Sequence, residues 1–193
     1  MKTLARIALG YAAAVESAAA LVRFRERTSA FRLAVDRAAA LGRPLVVIGD
    51  PDGGMHTRLL RAYGCGDVCV DLSGCPKCPV TVVADITKGP IPGIADDSSV
   101  VFVSCVLEYV TDLQAALAEI ARMAGRPENV FIVTVQPWTL TARLYPGATW
   151  RGSTVPTAGG HAVQMQPVHL EEKLAATLGL AVLAAAAFWP RRK

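Results

Sequence analysis

The chain has 193 residues, of which 52% are apolar and 19% charged. This length and composition suit one folded domain and exclude a disordered or collagen-like chain. The net charge is +4, but the basic excess lies in residues 23–43 and 191–193 and forms no continuous stripe with interleaved aromatic residues. We therefore expect no nucleic-acid binding. The early arginines are interpreted as solvated helix faces, with contact to an anionic membrane surface as the alternative.

The first 28 residues show the spacing of an amphipathic helix. Their large apolar residues recur at intervals of three, four and seven: Leu4, Ile7, Tyr11, Val15 and Val22. Because Arg6 and Glu16 interrupt this segment, we expect a helix that lies on a surface or packs on a partner, not a transmembrane helix. A second helix is predicted over 29–41, before Gly42. Residues 1–42 are thus expected to form a helical extension, and residues 43–193 an α/β domain.

From residue 44 onward, short apolar runs alternate with helical stretches. Strands are predicted at 45–48, 68–72, 80–86, 100–104 and 130–135, and helices at 55–63 and 113–123. This alternation favours parallel strands with right-handed crossovers. The predicted fold is α/β, with a doubly wound, mostly parallel, Rossmann-like sheet covered by helices on both faces. Residues 180–189 form either one more strand or the end of an apolar helix that starts at residue 170.

Five cysteines and no convincing secretory signal predict an intracellular protein without a disulfide framework. The spacing Cys65-x3-Cys69-x5-Cys75-x2-Cys78 is one that can bind zinc. However, a strand over 67–72 would separate Cys65 from Cys75 by roughly 20 Å, at about 3.3 Å per residue. We therefore predict no metal site. The pair Cys75 and Cys78 could still act as a dithiol, or bind a metal together with ligands from elsewhere.

The predicted strands end in residues that suit a nucleoside ligand. The glycine-rich loop 49–54 follows the first strand and precedes a helix, a place where backbone amides meet a carboxylate or phosphate. Asp71 lies near the end of the second strand, where a carboxylate can accept hydrogen bonds from both ribose hydroxyls. Asp85 ends the third strand, where it can accept from an adenine amino group. Their shared position predicts a ligand across the carboxyl ends of the strands.

These segments, read in order, resemble class I S-adenosylmethionine-dependent methyltransferases of the small-molecule type. The residues that carry the resemblance are 46–54, Asp71, 84–86, V-V-F-V-S-C-V-L-E-Y-V at 100–110, and A-L-A-E-I-A-R-M at 116–123. Residues 161, 167–174 and 179–182 are similar to the later helix and sixth strand of that family. The chain departs from the family where Ile48 replaces an acidic residue and where Asp50 and Asp52 replace glycines. It also lacks a seventh strand.

The resemblance implies S-adenosylmethionine as the cofactor and a small-molecule acceptor. The cofactor-binding residues that it implies are Gly49, Asp50, Asp52, Gly53, Gly54, Asp71, Asp85, Ile86, Ser104 and Cys105. Leu107 would face the substrate, and Trp138, Tyr145 and Trp150 are candidates for lining its pocket. If a base is needed, His161 and Glu108 are the candidates. We expect a cytoplasmic enzyme, with association with a membrane as the alternative.

Two other functions stay open at this point. The first is a non-catalytic methyltransferase-like module that binds a membrane surface or a protein partner through the amphipathic helix in residues 1–28. The second is a nicotinamide-dependent oxidoreductase, which ranks last because the chain lacks G-x-G-x-x-G spacing.

Overall fold

The computed structural model describes residues 2–53, 62–144, 147–157 and 160–188. Its helices are α1 (Lys2–Leu41), α2 (Leu113–Ala124), α3 (Leu140–Leu144) and α4 (Leu170–Phe188), with a 3-10 turn at Pro127–Asn129. Its strands are β1 (Leu45–Ile48), β2 (Val68–Asp71), β3 (Thr81–Val83), β4 (Val100–Ser104), β5 (Val130–Val133), β6 (Trp150–Thr157) and β7 (Gly160–Pro167). Most of the predicted helix 55–63 lies outside the described residues.

Five strands form one parallel sheet in the order β3-β2-β1-β4-β5. The strand β1 lies at the centre because its four residues are apolar and buried on both faces. An α/β fold with a parallel sheet is therefore confirmed. The remaining strands, β6 and β7, pair as an antiparallel hairpin that the sequence analysis did not predict.

The C-terminal half of α1 covers one face of the sheet. Ala30, Ala34 and Ala38 are four residues apart and buried, and they pack in one cluster with Val47 and Phe102. These small side chains let the helix backbone approach the sheet closely. Residues 30–38 of α1 therefore form part of the hydrophobic core on this face of the sheet.

The opposite face is covered by α2, whose first turn is capped by Asp112. One hydrophobic cluster joins apolar residues of β1, β4 and β5 to Ala116, Ile120 and Met123 of α2. Trp150, Val163 and Met165 of the hairpin pack against the same cluster. Helices thus lie on both faces of the sheet.

The N-terminal region differs from prediction in one respect. α1 is one continuous helix of 40 residues, so the expected division into two helices is wrong. Of the large apolar residues predicted to form one face, Leu4, Ile7 and Tyr11 are all more than 60% exposed, whereas Ala5 and Ala19 are buried. In this part of the chain, small residues provide the packing surface and large residues point outward.

At the other end of the chain, residues 179–182 lie inside α4, where the resemblance implied a sixth strand. The alternative of an apolar helix starting at residue 170 is the one that the structure shows. α4 packs against α1. Within the described residues, α1 is the one helix long and apolar enough to cross a membrane, and little of its apolar window is buried.

Candidate functional site

The candidate site lies at the carboxyl edge of the sheet. All five strands are parallel, so their carboxyl ends share one edge. The strand order changes direction between β1 and β4, because β2 and β3 extend to one side of β1 while β4 and β5 extend to the other. In open α/β sheets this position leaves a crevice in which ligands bind.

The loop after β1 is a tight turn held by its own residues. Gly49 has a φ of +101°, and a Cβ there would lie 2.8 Å from Val106 Cγ2. Asp50 Oδ1 accepts a hydrogen bond from the Asp52 amide at 3.0 Å, and the Asp50 carbonyl accepts one from the Gly53 amide at 3.0 Å. The carboxylate of Asp50 thus stabilises the turn. Gly54 lies outside the described residues.

Asp71 connects the tip of β2 to this loop. Its Oδ2 accepts a hydrogen bond from the Asp50 amide at 3.2 Å, and its Oδ1 accepts one from the Ser73 amide at 2.8 Å. Each oxygen of an ionised carboxylate has two lone pairs, so each retains the capacity to accept one further hydrogen bond. Asp71 is half-buried. It can therefore accept from a pair of hydroxyl groups while holding the loop.

Asp85 follows β3, the neighbour of β2 in the sheet. Its Oδ1 accepts hydrogen bonds from the Thr87 amide at 2.9 Å and the Thr87 hydroxyl at 2.7 Å. These hydrogen bonds keep the pKa of Asp85 below its usual value. The adjacent Ile86 is buried in the hydrophobic cluster under α2 and not at the surface of the crevice.

Polar residues lie at the end of β4. Ser104, the last residue of this strand, is buried, and Cys105 has the unusual φ of +52°. Nη2 of Arg27, from α1, donates to Cys105 Sγ at 2.9 Å. Burial, together with the nearby Glu108, raises the pKa of the Cys105 thiol, although Arg27 opposes that shift. Cys105 is therefore a neutral thiol in contact with a guanidinium.

Glu108 lies deeper and is 2% exposed. Its Oε1 accepts a hydrogen bond from the Val135 amide, and its backbone carbonyl accepts from the amides of Thr149 and Trp150. Its Oε2 has no hydrogen-bond partner in the described part of the chain. Burial raises the pKa of Glu108 above that of an ordinary glutamate. The residue thus joins the ends of β4 and β5 to the start of β6.

The substrate candidates are dispersed. Leu107 is fully buried in the core, whereas Trp138 is 53% exposed. Trp150 donates from its indole nitrogen to the Val110 carbonyl at 3.0 Å. His161 lies in β7 opposite Pro156, and only its backbone is described. Tyr145 lies outside the described residues.

Three site residues were missed by the sequence analysis. Arg23 is 8% exposed, and Arg27 contacts Cys105, so these two arginines are not solvated as predicted. Their spacing of four residues, which places both on one helix face, was the available signal. The third is Tyr63, which donates to the Asp50 carbonyl at 3.2 Å, and burial raises its pKa to about 12. This hydrogen bond helps to hold the loop after β1 in place.

The cysteines correct a further expectation. Cys65 is bonded to Cys78 and Cys69 to Cys75, so the prediction of no disulfide framework is wrong. The predicted separation of about 20 Å between Cys65 and Cys75 is wrong too. Cys69 lies within β2, and the loop over 72–80 folds back toward it, so that the sulfurs of Cys75 and Cys78 lie within 4.8 Å of the Cys69 sulfur.

The structure therefore brings together Gly49, Asp50, Asp71, Ser104 and Cys105 at one edge of the sheet. It places Ile86 and Leu107 in the core. Comparisons with protein-family models, with curated proteins and with solved structures find no match to this chain.

Proposed function

We propose that the chain binds S-adenosylmethionine across the carboxyl ends of β1, β2 and β4 and transfers its methyl group to a small-molecule acceptor. The observation that carries this proposal is the hydrogen bond between the Asp50 amide and the Asp71 carboxylate. It joins the glycine-containing turn after β1 to the acid at the end of β2. These are the two elements that a nucleoside ligand needs next to each other.

The strand order supports the same proposal. β1 is central, and the order reverses between β1 and β4, as in half of a doubly wound, Rossmann-like sheet. Gly49 and Cys105 lie on the two sides of that reversal. A ligand whose ribose lies at Asp71 would extend along this edge toward Cys105.

The residues fit the cofactor in part. Asp71 retains the accepting capacity that two ribose hydroxyls require. Arg27 and Arg23 supply positive charge beside the end of β4, which favours the carboxylate of the methionine portion. The space above Gly49, in contrast, is filled by Val106 and not left for a ligand. The fit is therefore better for the ribose than for the glycine turn.

When bound, the cofactor supplies a methyl group on a sulfonium. The protein's contribution would be to orient the acceptor in line with that methyl group and to exclude water. Glu108 is too deeply buried to meet an acceptor in this conformation. We therefore assign Glu108 and the buried Ser104 to support of the site, and the half-buried Cys105 at the edge to contact with the reacting groups.

Thermal unfolding of the full chain with S-adenosylhomocysteine tests this proposal. A ligand at 100 times its Kd stabilises a folded protein by about 2.7 kcal/mol, so a clear rise in Tm is expected. Asp71→Asn should reduce that rise. Asp97→Asn is the matched control, because Asp97 is exposed and pairs with Arg43 before β4 begins. An unchanged Tm for the wild type with ligand would refute the proposal.

A second function, attachment to a lipid bilayer, is favoured by the exposed apolar residues of α1 and α4. Leu4, Ile7 and Tyr11 on α1 and Leu178 and Val182 on α4 are each more than 60% exposed. The two helices pack against each other, so these exposed apolar residues lie on neighbouring helices. Basic residues near both ends of the chain favour anionic lipid.

Flotation of the full chain with anionic vesicles tests this attachment. The wild type should float, and Ile7→Glu with Tyr11→Glu should abolish flotation. Leu33→Glu is the control, because Leu33 is an exposed apolar residue on the part of α1 that covers the sheet. Equal flotation of the double variant and the control would contradict attachment through this region.

A further inference from the structure

Four of the five cysteines form one compact sulfur cluster beside β2. Cys65 is bonded to Cys78, Cys69 is bonded to Cys75, and the sulfurs of Cys69, Cys75 and Cys78 all lie within 4.8 Å of one another. Each bond therefore joins a residue of the first cysteine pair in sequence to a residue of the second pair.

The sequence spacing of this cluster matches that of structural zinc sites. Cys65 and Cys69 are separated by three residues, and Cys75 and Cys78 by two, and both intervals fall in the range used by such sites. The second pair lies in a turn in which the Cys78 amide donates to the Cys75 carbonyl at 2.9 Å. The Cys75 amide is held in turn by Thr81 Oγ1 at 2.8 Å. The backbone thus fixes this pair.

The distances also fit one zinc ion. A zinc–sulfur bond of about 2.3 Å in a tetrahedral site gives sulfur–sulfur separations of about 3.8 Å. The three sulfurs that lie within 4.8 Å of one another need only small side-chain movements to reach this spacing. Cys69, Cys75 and Cys78 are each less than 10% exposed. Cys65 is half-buried and bonded to Cys78, so after reduction it can supply the fourth thiolate. Four thiolates leave no open coordination position, which is typical of a structural zinc site.

We propose that the reduced chain binds one Zn²⁺ through Cys65, Cys69, Cys75 and Cys78. Reduction of the two disulfides by two equivalents of a dithiol transfers four electrons and four protons and yields four thiols. Binding of Zn²⁺ then forms four zinc–sulfur bonds and releases the four thiol protons to solvent. The disulfide-bonded and zinc-bound forms are alternative states of the same cluster.

The site would connect three parts of the chain. Cys65 belongs to the segment that precedes β2, Cys69 to β2 itself, and Cys75 and Cys78 to the loop that leads to β3. Asp71 lies between the second and third ligands. Zinc would therefore fix the strand end that positions this carboxylate, whether or not the proposed cofactor binds there.

Titration of Co²⁺ into the full chain, reduced and kept free of oxygen, tests this proposal. We expect the intense visible absorption of tetrahedral cobalt thiolate, saturating at one Co²⁺ per chain and lost on addition of Zn²⁺. Circular dichroism of the same sample shows whether the reduced chain is folded. A folded, reduced chain without this absorption would overturn the proposal.

Two variants assign the ligands. Cys75→Ser should weaken Co²⁺ binding by roughly tenfold or more and alter the absorption. Cys105→Ser is the control, because Cys105 is the cysteine outside the cluster, and it should bind Co²⁺ as the wild type does. If Cys75→Ser fails to fold, the stoichiometry and the absorption spectrum of the wild type with Co²⁺ still show whether the chain binds one metal ion through thiolates. Equal binding by both variants would refute the assigned ligands.

Discussion

Replacement of Glu108 by glutamine should stabilise the protein at neutral pH. Glu108 is 2% exposed, and one of its oxygens has no partner in the described part of the chain. Glutamine has nearly the same shape, and its oxygen can still accept the hydrogen bond from the Val135 amide. The substitution thus removes the cost of burying an ionisable group without removing the contact that it makes.

The sign of the pH dependence follows from the raised pKa of Glu108. Below the unfolded-state pKa of about 4.3, the carboxyl is protonated in both states and imposes no penalty. As the pH rises above that value, the unfolded chain ionises while the folded chain stays protonated, so stability falls until the folded pKa is passed. Each unit of elevation corresponds to about 1.4 kcal/mol.

Urea unfolding at a series of pH values between about 4 and 8 measures this effect. This is roughly the interval over which a buried carboxyl with a raised pKa titrates. Glu108→Gln should match the wild type at the acidic end and exceed its free energy of unfolding at the neutral end, because the pKa of Glu108 is raised in the folded state. Glu128→Gln, at an exposed position in the 3-10 turn, should show no such divergence. If Glu108→Gln is less stable than the wild type at neutral pH, Glu108 is ionised and balanced by Arg23 and Arg27, and the reasoning is refuted.

Two further substitutions test the packing by urea unfolding. Gly66→Ala should lower the free energy of unfolding more than Gly42→Ala does. Both glycines have φ near +60°, but a Cβ at Gly66 would lie 2.6 Å from the Leu45 carbonyl oxygen, whereas a Cβ at Gly42 would have no neighbouring atom within 4 Å. Backbone strain alone, as at Gly42, costs about 1 kcal/mol, and equal losses at the two sites would contradict the close contact. Glu119→Ala should cost about 2 kcal/mol, because the buried Ile91 amide loses its acceptor. A loss below about 0.5 kcal/mol would show that this amide finds another partner.

The central strands could be predicted with correct bounds. Residues 45–48 and 100–103 are continuous runs of apolar residues, and such runs favour strands buried on both faces. The hairpin over 150–167 was missed, because Pro156 lies inside β6 and proline argues against a strand. Local sequence patterns thus predict the central strands of the parallel sheet better than they predict the separate β6–β7 hairpin.

Contacts between residues that are far apart in sequence, or that a reversing loop brings together, could not be predicted from the spacing of residues along the chain. An extended strand would hold Cys65 and Cys75 far apart, whereas Gly74, with a φ of +76°, lets the loop reverse toward Cys69. Similarly, Arg27 reaches Cys105 across 78 residues of sequence. Asp71 was placed correctly at a strand end, but its hydrogen bond to the Asp50 amide emerges only from the packed sheet.

Calorimetric titration of S-adenosylhomocysteine into the 193-residue chain tests the central claim most directly. The account predicts saturable binding at one ligand per chain, weakened by about tenfold or more in Asp71→Asn, since a hydrogen bond to a charged group contributes about 1.5 to 3 kcal/mol. Absence of binding heat at millimolar ligand, or equal affinity of the wild type and Asp71→Asn, would contradict a nucleoside site at the end of β2.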